Sequence, residues 1–281
     1  MDQNQSEHKT LNDQLNEAVS FLNEAFQGEK PEIGIVLGSG LNSFAEAIEE
    51  PQVVDYNRVP HMQVSTAAGH RGRFVLGNCH GKKVLAMQGR LHGYEGYTAQ
   101  EVAFPIWLMK RFGVETLITT NAAGAINELF HVGDFCVMTD QINYTGRNPV
   151  SSQEAAEIGP RFFSMLDAFD SNLRMLAHVV AAQCETHLRE GVYLGLLGPS
   201  FETPAEIRMF KTMGADTVAM SVIEEVIAAR QMNMRVLGIS LISNMACGIH
   251  GASPSDEEVR DVAKTKEEDF ARLIGGILER L

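Results

Sequence analysis

In the run GRLHGYEG, residues 89–96, a guanidinium, an imidazole and a phenol stand at alternating positions between glycines. An extended chain turns every second side chain to one face, so Arg90, His92 and Tyr94 would share a face while Leu91 and Glu95 fall elsewhere. Arginine offers a planar fork that fits phosphate oxygens, histidine adds a second donor, and the glycines permit close approach. The stretch reads as an oxyanion site; the competing reading is a solvated turn in which Arg90 and Glu95 form a weak surface ion pair. The GSG turn at 38–40 is equally two-sided: it would expose backbone N–H groups and the Ser39 hydroxyl to an anion, or simply end a strand. Its third fingerprint glycine is replaced by Ser43, no acidic residue closes a second strand about 20 positions on, and a P-loop lysine is missing. These absences disfavour a nicotinamide-dependent oxidoreductase.

Further along, AAGHRGRFV sets His70 beside a glycine turn, where a structural loop histidine competes with a functional one. In GPSFETPAE, Phe201 and Glu202 precede a helix opening at Pro204. Glu202 either favours the helix dipole or accepts hydrogen bonds from the N–H edge of a heterocycle beside an aromatic face. Ser221, after GADTVAM, is either a helix N-cap or a free hydroxyl. Asn244 ends a strongly apolar run, RVLGISLISN, and a buried amide there must find partners for both its carbonyl and its NH2, which a ligand would supply.

The elements that must carry these groups alternate. Short β-branched apolar runs occur at 33–38, 73–79, 82–88, 115–120, 134–140, 192–198, 216–220 and 235–243. Between several of them lie helix-period segments, EVAFPIWLMKRF, SNLRMLAHVVAAQCE, PAEIRMFKTM and SVIEEVIAARQM. That alternation predicts an α/β fold with a largely parallel sheet covered on both faces. Leu11, Leu15, Val19, Leu22 and Phe26 mark an opening helix within 1–29, and 254–281 reads as one closing helix. No linker divides the chain, so residues 1–281 are expected to form one domain with a long functional loop at 144–160. ITTNAAG and LISNMACG echo each other at strand ends, where open α/β sheets bind ligands.

The chain has 281 residues, 44% of them hydrophobic, and a formal net charge of −13. That charge argues against general affinity for nucleic acid or anionic membrane, so a bound anion must meet a local positive site. The four cysteines lie far apart without a C-x-x-C pair, which fits a reduced cytoplasm better than a disulfide framework or a zinc site. Neither a signal peptide nor an 18-residue apolar span is legible.

Taken in order, VLGSG, GRLHGYEG, TNAAG, GPSFETPAE, GADTVAMS and SLISN resemble the trimeric class of purine nucleoside phosphorylase, from about residue 30 to the end. The resemblance implies an α/β fold with a mixed, distorted central sheet flanked by helices, a homotrimer with sites near subunit boundaries, and no metal or organic cofactor, inorganic phosphate being a co-substrate. It implies a phosphate site of Ser39, Arg90, His92, the Ala122 N–H and Ser221, with His70 closing over it. Glu202 would meet the purine N1–H and Asn244 its N7, Phe201 and Val218 would line the base pocket, and Tyr94 and Met220 would pack around the ribose. Phe162 would reach the ribose from a neighbouring subunit. Asparagine at 244 implies 6-oxopurines, since related methylthioadenosine phosphorylases carry aspartate there. Two positions depart from the family: Ser243 stands where threonine is common, and Asp256 where a histidine commonly touches the ribose 5′-hydroxyl, with His250 as an alternative contact. The rivals are a xanthosine- or methylthioadenosine-type phosphorylase and a non-catalytic purine-binding protein, which would need neither Arg90 nor His92.

Overall fold

The computed structural model describes residues 9–67 and 69–281. The opening helix α1 runs Leu11–Ala25, started by a capping box between Thr10 and Asp13; the first eight residues of the expected 1–29 segment lie outside the described residues. Strand β1 (Ile33–Leu37) is buried throughout. It is followed by β2 (Glu49–Asp55), β3 (Arg73–Cys79) and β4 (Lys82–Gln88), then α2 (Ala99–Phe112) and β5 (Thr116–Ala125). After β6 (Phe135–Asn143) come the short α3 (Ala155–Ile158), α4 (Ser171–Gln183), β7 (Leu188–Gly195), α5 (Pro204–Thr212) and β8 (Thr217–Ala219). The chain closes with α6 (Ile223–Gln231), β9 (Arg235–Met245), α7 (Asp256–Thr265) and α8 (Glu267–Leu278).

Three expectations are corrected. The sheet is mixed, as the resemblance implies, and not largely parallel as the alternation alone suggests: β1 runs parallel to β4 and β5, but β3 is antiparallel to both neighbours, and β8 and β6 run antiparallel to β5 and β9. The closing segment is two helices, broken at Lys266, which leaves helical geometry at φ −109, ψ 6. The strand β2 was not expected, because EEPQVVD carries a proline and mostly exposed polar side chains; it is an edge strand paired only with β3, where proline is tolerated.

The strand order is β2-β3-β4-β1-β5-β8-β7-β6-β9, and β9 also pairs with β5, so five strands close into a ring and the other four extend from it as a wing. Side-chain alternation in the buried strands divides the core between two faces. Val36 faces the layer of α1, α2 and α6, with Leu15, Phe26, Trp107, Phe112 and Val226. Ile33, Ile35 and Leu37 face α4 and α8, with Leu173, Val180, Phe270 and Ile277. The two echoing segments prove to be neighbours: β5 and β9 pair in parallel with Asn121 beside Ser240 and Gly124 beside Asn244. The ends of β4, β1, β5 and β9 thus open at one edge of the sheet. No helix among the described residues is long and apolar enough to cross a membrane.

Candidate active site

A cavity of about 340 Å³ lies at those strand ends, and every residue expected in the site lines it except His70 and Phe162. The segment after β4 carries the first cluster. Arg90 is 1% exposed. Its Nε and Nη2 donate to the two carboxylate oxygens of Glu225 at 2.8 and 2.9 Å, Nη2 also donates to Thr119 Oγ1 at 2.8 Å, and Nη1 donates to the Thr120 carbonyl at 2.5 Å. Thr119 closes the triangle by donating to Glu225 at 2.6 Å. Four guanidinium N–H groups are therefore engaged and one, on Nη1, is left over. The sequence reading paired Arg90 with Glu95 as its alternative; its real partner is a helix residue 135 positions away.

Glu95 serves His92 instead. Its Oε1 accepts the His92 backbone N–H at 2.8 Å and lies 3.1 Å from Nδ1 of the ring. Its Oε2 accepts from the Thr66 backbone N–H and hydroxyl, the latter at 2.7 Å. Burial alone would raise the Glu95 pKa, but these hydrogen bonds outweigh it and hold the group at about 2. His92 is lowered from the ordinary histidine value, chiefly by burial. Its ring stacks on Tyr94 at 4.6 Å between centroids, on a 3-10 turn over Gly93–Glu95. His70 stands behind this segment: its Nδ1 accepts the Arg90 backbone N–H at 2.8 Å, and its ring centre lies 5.2 Å from that of His92. A Cβ at Gly89, at φ +105, would come within 2.7 Å of the His70 Cβ, so glycine lets the two segments meet. Burial, reinforced by the charges of His92 and Arg90, brings His70 down to about 4.

Ser39 reaches the cavity because Gly38 lets β1 end against β5; a Cβ there would stand 2.6 Å from the Thr120 carbonyl. Ser221 is not the N-cap of α6. That place is taken by Val222 at φ 73, a costly conformation for a β-branched residue. The turn is held by the Ser221 carbonyl, which accepts from Ile223 N–H at 2.9 Å and from the buried Tyr193 hydroxyl at 2.7 Å. The Ser221 side chain, freed from capping, lines the cavity.

The second cluster sits beyond β5. Asn244, 4% exposed, accepts from the Ser243 hydroxyl at 2.8 Å through Oδ1 and donates from Nδ2 to the Met245 carbonyl at 2.9 Å. Those two bonds assign the amide's orientation and leave one Nδ2 hydrogen and one Oδ1 lone pair over. A Cβ at Gly124 would lie 3.0 Å from that Nδ2, so only glycine gives the amide full room. Glu202 directly precedes Thr203, the N-cap of α5, where the capping box is made by Glu206. Burial raises the Glu202 pKa. Phe201, Val218 and Met220 complete this end, and Asp256, paired with Arg260 on α7, lies at the rim. His250 does not line the cavity and faces Glu128. Phe162 is 88% exposed, away from the cavity, and with Asn143 and Phe163 lines a second depression.

Sequence reasoning missed Glu225, Thr119, Tyr193 and the orienting role of Ser243. The available signal for Glu225 was an acidic pair embedded in SVIEEVIAA, where both carboxylates are buried. Among the described residues, no group of three or more His, Cys, Asp or Glu is arranged to hold a metal ion.

The family profile described as the phosphorylase superfamily matches residues 32–279. Purine nucleoside phosphorylase 1 of Bacillus subtilis (strain 168) is 44% identical over 268 residues, covering 95% of this chain and 98% of that protein. The Geobacillus stearothermophilus protein of the same name is 45% identical over 267 residues, covering 95% and 97%. The crystal structure of a Schistosoma mansoni purine nucleoside phosphorylase in complex with inosine superposes with a TM-score of 0.90 at 34% identity, covering 95% and 96% of the two chains. The chain, with its ringed sheet and a cavity shared by Arg90, Glu202 and Asn244, belongs to the purine nucleoside phosphorylases of the phosphorylase superfamily.

Proposed function

We propose that the protein catalyses reversible phosphorolysis of inosine, guanosine and their deoxy forms, yielding free purine base and (deoxy)ribose 1-phosphate in purine salvage. The observation that carries this reading is the division of one cavity between an anion end at β4 and β1 and a heterocycle end at β9 and α5. At the first end, the spare Nη1 hydrogen of Arg90, the hydroxyls of Ser39 and Ser221 and the Ala122 N–H would seat inorganic phosphate. At the second, Glu202 would take the N1–H of a 6-oxopurine, and the spare Nδ2 hydrogen of Asn244 would point at N7.

Phosphate then attacks C1′ from the face opposite the base. As the C1′–N9 bond breaks, the sugar gains oxocarbenium character and the purine gains electron density, which the Asn244 donor stabilises at N7 in the manner of an oxyanion hole. Holding both reactants in one cavity removes much of the entropic barrier. Tyr94, stacked on His92, would set the ribose over the phosphate, and Asp256 at the rim would accept from the 5′-hydroxyl and repel a 5′-phosphate. No metal or organic cofactor enters the scheme. We further infer a homotrimer in the cytoplasm; an exposed Phe162 supports the first, since a neighbouring copy would cover it, and four free cysteines fit the second.

The test is incubation of the protein with inosine, guanosine, xanthosine and adenosine, each with and without phosphate, while free base is followed. Base released from inosine and guanosine only in the presence of phosphate is the expected result. Release without phosphate, or none at all, overturns the reading.

A further inference from the structure

The anion end of the cavity carries little net positive charge. Arg90 is the one lysine or arginine lining it among the described residues, and Glu225 balances that charge through two parallel hydrogen bonds. His92 comes with a carboxylate of its own, and the geometry decides which ring nitrogen holds the proton. Both Glu95 oxygens collect donors: the His92 backbone N–H on Oε1, the Thr66 N–H and hydroxyl on Oε2. A carboxylate so surrounded is ionised and can only accept. The ring nitrogen 3.1 Å from Oε1, Nδ1, must therefore carry the hydrogen. A neutral ring then keeps its lone pair on Nε2, which has no partner among the described residues, and the ring lines the cavity.

Resting on the phosphorolysis reading, we infer that the co-substrate binds as a protonated oxyanion, with a P–OH group donating to Nε2 of His92, and that Glu95, by fixing the His92 tautomer, makes the site select hydrogen phosphate over sulfate. The two ions match in size and tetrahedral shape. Inorganic phosphate retains a hydroxyl across the working pH range, whereas sulfate has only acceptors and would set a lone pair against a lone pair. The groups facing His92 keep its ring neutral near pH 7: burial and the Arg90 charge lower its pKa, and Glu95 and Glu225 offset them only in part. His70 and Tyr94, the other titratable neighbours of the ring, are uncharged near neutral pH, since His70 is lowered to about 4 and Tyr94 is raised to about 12. Glu95 is thus a positioning residue, and its influence shows in which anion is accepted.

Calorimetric titration of the full chain with inorganic phosphate and, separately, with sulfate at about pH 8 tests this. One hydrogen bond replaced by a repulsive contact at a buried site predicts sulfate weaker by roughly 30-fold. In His92→Gln the side-chain amide can turn its NH2 to either ion, and the ratio should fall below about fivefold. Nitrogen NMR of the unsubstituted protein provides a check that needs no variant: His92 should show a protonated Nδ1 and a bare Nε2. Sulfate bound within about fivefold of phosphate, or the opposite tautomer, overturns the inference even where phosphate-dependent base release is intact. Failure of that release together with failure to bind phosphate would instead sink the reading beneath it.

Discussion

Replacing Asn244 by alanine removes one hydrogen-bond donor, and the structure allows the loss to be apportioned. The amide makes two bonds, from the Ser243 hydroxyl to Oδ1 and from Nδ2 to the Met245 carbonyl, and both serve to aim the remaining Nδ2 hydrogen into the cavity. Truncation opens the Ser243 hydroxyl to a cavity that water can enter, so the folding cost should be small, about 1 kcal/mol. The kinetic cost is larger. A donor aimed at charge that develops only in the transition state is worth about 2.7–4 kcal/mol, so kcat on inosine should fall by roughly 100- to 1,000-fold with much less change in KM. Ser243→Ala removes one of the two bonds that orient the amide, along with a longer contact from the hydroxyl to the Ala123 carbonyl at 3.4 Å, and should cost about 1 kcal/mol, roughly fivefold. In the Asn244→Ala background the same substitution has nothing left to orient, so its effect should vanish. Steady-state phosphorolysis of inosine by the two single variants and the double variant measures all three quantities. Asn244→Ala within about threefold of the parent rate, or fully additive losses, refutes the assignment of the amide to the leaving group.

Glu225→Gln should lower the free energy of unfolding by roughly 3 kcal/mol, because it leaves the buried Arg90 guanidinium without its counter-charge; an unchanged urea midpoint would contradict the pairing. His70 has a folded pKa of about 4 against an ordinary 6.5, so the unfolded chain takes up a proton that the folded one refuses, and stability should decline as pH falls from about 6.5 to 4. His70→Gln should flatten denaturation curves in that window. Glu95 behaves as a depressed carboxyl: its contribution is fully present above about 4.5 and lost as pH drops toward 2, so the stability gap between the parent and Glu95→Gln should close over that lower range and stay constant above it. Gly40→Ala would drive a methyl into the Ala263 Cβ at a backbone φ of +74, and a loss of about 1–3 kcal/mol in thermal or urea unfolding is expected.

What could be read in the sequence follows from where each signal is local. The buried strands β1, β5 and β9 announce themselves as β-branched runs, and the spacing within GRLHGYEG and GPSFETPAE carries the site's chemistry because each motif is a single loop. Strand direction is settled by long-range pairing, so alternation alone points to too parallel a sheet. Even so, a two-residue link between RFVLGNC and KKVLAMQ, His80 and Gly81, both at positive φ, was a readable sign of the antiparallel β3–β4 hairpin. The edge strand β2 escaped because its side chains answer to solvent rather than to a core. Glu225 escaped because its partner, Arg90, is brought near only by the fold: α6 sets its first turn under the ends of β4 and β5, and no spacing rule links the two positions. The Ser221 N-cap failed for a related reason, since the Tyr193 hydroxyl holds the chain in a turn that propensity alone would forbid at Val222.

Helix α7 ties distant parts of this enzyme together. Asp256 and Val259 on its first turns edge the opening of the cavity, while Ala263, near its far end, presses on the loop that presents Ser39. A helix of ten residues is a stiff lever, so a tilt at one tip is felt at the other. Redesigning the mouth of the cavity at Asp256 or Val259 would therefore disturb the placement of Ser39 unless the contact with Gly40 is rebuilt in the same step.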